Sequence, residues 1–126
     1  MRDQAAGALA RRGAQADCHA TAIGALRPSA PFDHLLLAHV IEHVPDPVAA
    51  LRHLRGLVTP DGRLWLVVSK PHWCNAIIWL HWRHRACRAA EIAECLAAAG
   101  WHLEATRAFP SGPPSRTSQG YSARPA

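Results

Sequence analysis

Apolar positions along this chain fall into blocks with two different periods. Residues 34–38 and 64–68 are near-continuous apolar runs of strand length. Runs of that kind predict strands buried on both faces, as in a parallel sheet. Between them Val48, Leu51, Leu54, Leu57 and Val58 recur at three- and four-residue steps, which predicts a helix with one core-facing stripe. Pro45-Asp46-Pro47 is a start signal for that helix. Asp46 is placed to accept from the free N–H groups of the first turn, and Pro47 at the first helical position gives up no hydrogen bond. Pro60-Asp61-Gly62 predicts a tight turn before the second strand. Strand, helix and strand with short links form a βαβ unit, whose crossover is almost always right-handed.

The flanking segments extend this pattern. Residues 5–12 are rich in Ala and Leu and predict a helix stopped by Gly13. Residues 16–23 alternate weakly and predict a strand, and residues 24–31, with Pro28 and Pro31, predict a loop. Residues 71–88 combine Trp73, Trp79 and Trp82 with His72, His81 and His84 and with Arg83, Arg85 and Arg88. Residues 89–99 predict a helix with Ile92, Leu96 and Ala99 inward, closed by Gly100. Residues 101–109 alternate and predict a strand with Trp101, Leu103, Ala105 and Arg107 on one face. A Pro/Ser/Gly loop at 110–119 and a short strand at 120–124 complete the chain, with no internal repeat.

A length of 126 residues, about half of them apolar, suits one domain with one core. No apolar run approaches the roughly 18 residues of a membrane span. The first residues do not form a signal-peptide core, so a cytoplasmic protein is expected. The net charge of +5 comes almost entirely from arginine, Lys70 being the only lysine. A nucleic-acid footprint clusters on one face. Apart from Arg83, Arg85 and Arg88 these arginines are dispersed, which favours a compositional bias over nucleic-acid binding. Cys18, Cys74, Cys87 and Cys95 form no C-x-x-C pair, so reduced thiols are expected rather than a zinc site.

The segment Phe32-Asp33-His34-Leu35-Leu36-Leu37-Ala38-His39-Val40-Ile41-Glu42-His43-Val44-Pro45-Asp46-Pro47, followed by Leu57 to Val68 with Thr59-Pro60-Asp61-Gly62, resembles two consecutive motifs of the class I S-adenosylmethionine (SAM) dependent methyltransferases. Asp61 stands where the family has a first glycine. Residues 91–101, a helix ending in Ala-Gly-Trp, fit a later motif. The resemblance implies an α/β fold: a partial Rossmann-like methyltransferase sheet, mostly parallel, with helices on both faces. Ligands of open α/β sheets sit at the carboxyl ends of the strands, where glycine lets the backbone approach. The family holds SAM with a glycine-rich loop after its first strand and an acidic residue after its second, and neither motif occurs in these residues. The resemblance therefore implies a single, N-terminally incomplete methyltransferase domain over residues 1–126, with a substrate segment at 70–88. Its activity would be methyl transfer from SAM to an unidentified small molecule. The alternatives are a non-catalytic remnant acting through a partner or associating with itself through an uncovered sheet edge, and a basic, aromatic nucleic-acid binder.

By the same resemblance the cofactor would be met by Thr21, Ala38, His39 and Val40, and the substrate by Trp73, Trp79, Trp82, Arg83 and Arg85. Aromatic faces and arginine forks suit planar or anionic groups. The alternative for that segment is an amphipathic helix with Trp inward and Arg outward. His39 is the candidate general base, or else a residue that satisfies local backbone groups. His39-Val40-Ile41-Glu42-His43 also spells the inverted zinc-protease signature H-x-x-E-H, but Pro45-Asp46-Pro47 interrupts the continuous helix that chemistry needs. Some relatives, the ubiquinone-pathway O-methyltransferases and small-RNA end methyltransferases, bind a divalent metal here through E-x-x-E-H. With His39 in place of the first glutamate, a metal set of His39, Glu42 and His43 is a weak option.

Overall fold

A computed structural model describes residues 2–73, 77 and 86–126. The helices are α1 (Arg2–Arg11), α2 (Pro47–Arg55) and α3 (Ala89–Ala98), and the strands are β1 (Phe32–Ala38), β2 (Val58–Ser69), β3 (Trp101–Ala108) and β4 (Ser118–Pro125). Short 3-10 turns lie at Ile23–Ala25 and Ile41–His43, and a helical turn at Pro114–Thr117 leads into β4.

The βαβ unit forms as its sequence requires. Asp46 accepts the backbone N–H of Ala49 at 2.9 Å, with Pro47 opening α2 behind it. Leu51 and Leu54 turn into the core, and Leu57 and Val58, past the helix end, pack against it from the turn and from β2. Strands β1 and β2 then pair in parallel from His34↔Arg63 to Ala38↔Val67. The Pro60-Asp61-Gly62 turn is an irregularity inside β2 rather than a break before it, since the register jumps between Phe32↔Val58 and His34↔Arg63. The chain folds so tightly there that a Cβ on Gly62 would lie 3.0 Å from the Thr59 carbonyl oxygen and from Val58 Cβ.

The sheet order is β1-β2-β4-β3. Strand β4 runs antiparallel to both neighbours, so β1, β2 and β3 share a direction but only the β1–β2 pairing is parallel. The expected mostly parallel sheet is corrected to a mixed one: β4 enters from the short 110–117 connection, and a parallel partner needs a crossover of a dozen residues or more.

Helices α2 and α3 lie side by side on one face. Arg52 Nη2 donates to the Ala98 carbonyl at 3.1 Å and Arg55 Nε to that of Gly100 at 3.1 Å. Gly100, with φ 84°, takes the left-handed position that ends α3. Beneath them Leu35, Leu37, Leu64, Leu66, Val68, Tyr121 and Ala123 form the core with Leu51, Ile92, Leu96 and Trp101. Trp101 is sealed into it, and its Nε1 donates to the Leu51 carbonyl at 2.9 Å.

The other sheet face is open among the described residues, which corrects the expectation of helices on both faces and of strands buried on both sides. Leu36 is 73% exposed while Leu35 and Leu37 are buried. Strand pleating sends alternate side chains to opposite faces, so an unbroken apolar run is compatible with one open side. Leu36, Trp65, Val67 and Phe109 edge a hollow of ≈360 Å³ on that face. The register shift between Leu103 and Ala105 sets Ala105 opposite Ser122 and Arg107 opposite Gly120, on the open side. Trp101, Leu103, Ala105 and Arg107 therefore do not share one face, as simple alternation predicts. The expected strand at 16–23 is absent: the segment is irregular and mostly exposed, and among the described residues β1 stands at the sheet edge. No helix among the described residues is long and apolar enough to cross a membrane.

Candidate functional site

The site is built where β1 ends. Its last hydrogen bond to β2 is His39 N–H to the Val67 carbonyl, at 2.8 Å. There the backbone of His39 turns into the left-handed region, with φ 53°, the only residue other than glycine to do so among the described residues. That conformation is uncommon for a side-chain-bearing residue, although histidine tolerates it better than most. It swings the chain out of the sheet into the 3-10 turn Ile41–His43, which buries Ile41 and Glu42.

Four side chains converge on that turn. His39 Nδ1 lies 3.1 Å from Glu42 Oε1 and 3.2 Å from Ser69 Oγ. His39 Nε2 lies 3.3 Å from Ser118 Oγ, contributed by the first residue of β4. Glu42 Oε1 also accepts the backbone N–H of Ser69 at 3.1 Å. The ends of β1 and β2 and the start of β4 are thus joined through one imidazole. The Glu42 side chain is fully sealed, whereas that of His39 is 46% exposed.

Burial opposes the charged form of Glu42 and is the largest single influence on it. The backbone N–H groups of Glu42 and Ser69 and the side chains of His39 and Ser69 together outweigh it, so the carboxyl is held below its ordinary value and ionised. An ionised carboxylate only accepts. Nδ1 of His39 is therefore the donor in that contact. Glu42 Oε2 is buried with no partner among the described groups.

The sequence-derived site residues separate into groups. Ala38, His39 and Val40 stand together at the carboxyl end of β1. Thr21 is not with them: it lines a surface hollow with Arg27 and Phe32, at the amino end of that strand. Trp73 is exposed, at 69%. Trp79, Trp82, Arg83 and Arg85 lie outside the described residues, as do His81, His84 and Cys74. His43 is exposed while Glu42 points inward, so His39, Glu42 and His43 do not converge. No group of three or more His, Cys, Asp or Glu among the described residues is placed to hold a metal ion. Ser69 and Ser118 are site residues that sequence reasoning missed. Ser69, the last residue of β2, is the kind of strand-end hydroxyl that could have been flagged, whereas Ser118 is 79 positions from His39 and only the sheet order brings it there.

Solved structures share this fold. Mitomycin 7-O-methyltransferase MmcR superposes with a TM-score of 0.84 at 20% identity, over 99% of this chain and 39% of that one. A didemethyltoxoflavin N1-methyltransferase from Burkholderia thailandensis, solved with its didemethyltoxoflavin ligand and S-adenosylhomocysteine, gives 0.76 at 21% identity, over 98% of this chain and 56% of that one. Magnesium protoporphyrin IX methyltransferase from Synechocystis, with bound SAM, gives 0.68 at 21% identity, over 98% and 52%. This chain thus spans between about two-fifths and three-fifths of the length of these structures. No curated protein matches it by sequence. A family profile described as a methyltransferase domain matches residues 3–106. Because that match takes in most of the 126 residues, the chain belongs to the methyltransferase domain family.

Proposed function

We propose that this chain forms the acceptor-facing part of a SAM-dependent methyltransferase that acts on a small molecule with an O–H or N–H nucleophile. The observation that carries the reading is the half-exposed imidazole of His39 at the carboxyl end of β1, braced from behind by the sealed carboxylate of Glu42.

The residues present fit one end of SAM. Ala38, His39 and Val40 would line its sulfonium and methionine end, where the bound donor supplies an electrophilic methyl group. They do not fit the nucleoside end. The carboxylate beside them is Glu42, which is sealed and already accepts from Ser69 and His39, so it has no surface for ribose hydroxyls. No step is derived there. What the chain's own groups do is orient the acceptor and take its proton. With Nδ1–H tied to Glu42, Nε2 is the nitrogen able to accept a proton from an O–H or N–H group reaching the exposed side of the ring. Bringing the reacting atoms into line supplies most of the remaining rate.

Trp73, Trp79, Trp82, Arg83 and Arg85 are the substrate-recognition set of this proposal, and a cytoplasmic setting goes with it. A second reading rests on the outer edge of β1. Among the described residues that strand has an unpaired edge and exposes Leu36, features that favour pairing with another chain. Self-association through this edge is therefore part of the proposal.

Calorimetry with SAM tests both. Heat of micromolar binding, followed by transfer of a labelled methyl group to small phenols or amines, supports the enzyme reading. No heat, together with concentration-dependent association, contradicts it and leaves the edge-pairing reading standing.

A further inference from the structure

We infer that Ser118 is a positioning residue for His39, and that with Glu42 it holds the imidazole as the Nδ1–H tautomer with Nε2 kept as an acceptor. Its purpose rests on the methyl-transfer reading above; its geometry does not.

Three observations carry it. The two ring nitrogens meet chemically different partners. Nδ1 faces an ionised carboxylate, which can only accept, and Nε2 faces a hydroxyl, which can donate. Only one neutral tautomer satisfies both at once. Secondly, the partners come from different elements: Glu42 from the 3-10 turn, Ser69 from the end of β2 and Ser118 from the start of β4. The ring plane is therefore fixed from two sides rather than by a local turn. Thirdly, Ser118 is buried, at 4%, while the His39 side chain is nearly half exposed. The hydroxyl lies at the buried margin of the ring, so a reactant entering from the exposed side reaches Nε2 by displacing that contact.

Local packing alone does not account for this arrangement. A histidine that merely satisfied its own turn would need no partner 79 positions away. The left-handed backbone at His39 is the strained feature that such bracing holds in place. The Ser118 contact, at 3.3 Å, is long for a hydroxyl donor, so an acceptor's O–H or N–H can replace it at Nε2 without a large cost.

The test is the long-range 1H–15N spectrum of the histidine rings at pH 8 in the full chain, with His39 assigned by the signals lost in His39→Asn. The expected wild-type pattern is a protonated Nδ1 and a bare Nε2. In Ser118→Ala the Nε2 signal moves away from the bare-nitrogen position toward an average of the two tautomers, and Ser118→Thr, which keeps the hydroxyl, restores it. Glu42→Gln, whose amide can donate to Nδ1, shifts the population toward Nε2–H. A wild-type ring in the Nε2–H form, a doubly protonated ring, or a Ser118→Ala spectrum identical to wild type overturns the inference. Far-UV circular dichroism of each variant separates loss of tautomer control from loss of fold. Because neither SAM nor turnover enters the measurement, failure of the methyl-transfer reading leaves its result intact.

Discussion

The carboxylate of Glu42 reaches across the sheet end to accept the backbone N–H of Ser69 at 3.1 Å, fastening the turn after β1 to the last residue of β2. The same oxygen faces Nδ1 of His39. One sealed side chain thus sets both the shape of the loop and the state of the exposed ring.

Replacing that carboxylate has a calculable consequence. Hydrogen bonds to a charged group contribute about 1.5–3 kcal/mol, so Glu42→Ala is expected to lower unfolding free energy by roughly that amount in a urea titration at pH 7. Its pH dependence follows from the lowered carboxyl pKa of the folded protein. The stabilisation is fully present above the unfolded value of 4.5 and is lost as pH falls through the lower folded value. Wild type should therefore lose stability on acidification more steeply than Glu42→Gln. Parallel curves would contradict the assignment.

Strand β1 offers a contrast between adjacent positions. Leu37 is buried in the core and Leu36 is 73% exposed. Leu37→Ala should cost about 2–5 kcal/mol, as core truncations do. Leu36→Ala should stay within about 0.5 kcal/mol, as exposed substitutions do. Leu36→Lys should in addition reduce self-association in sedimentation velocity at unchanged stability. Equal costs at the two positions would place the strand in a different register.

These positions also mark what the sequence disclosed. Periodicity and the Asp46-Pro47 cap located α2 and its start, and the two apolar runs located β1 and β2, because those signals are local. Burial on each face was not legible: an unbroken apolar run reads the same whether one face is covered or two, and Leu36 shows that one is open. The bulge at Glu104, where Arg63 Nε donates to Oε2 at 3.0 Å, was hidden because a one-residue slip leaves no mark in an alternating pattern. At the site, His39 was a candidate through the family resemblance, and the structure sets it just past the end of β1. Ser118 was not, since its contact depends on β4 inserting between β2 and β3.

The backbone of His39 supplies a separate prediction. Its φ of 53° disfavours β-branched residues, whereas asparagine is tolerated. His39→Val should be about 1–3 kcal/mol less stable than His39→Asn in the same denaturation assay. Equal stability would indicate that the turn relaxes out of the left-handed region.

Trp101 joins α2 to β3 by its indole N–H on the Leu51 carbonyl and by a side chain that is 2% exposed. Trp101→Phe, which removes the hydrogen bond and part of the ring volume, should cost more than the roughly 1 kcal/mol of the hydrogen bond alone. Trp101→Ala, which also opens a cavity, should cost about 3–5 kcal/mol. Thermal unfolding of the pair checks whether packing or the hydrogen bond dominates.

The account stands most directly on where the methyl donor meets the chain, and a backbone 1H–15N spectrum recorded while SAM is added reads that position residue by residue. The expected result is saturable shifts at His39, Val40 and Ser69, at the carboxyl ends of β1 and β2, with Thr21 and Phe32 unmoved. Shifts confined to the Thr21 hollow or to the open face around Leu36, with His39 unchanged, would contradict it.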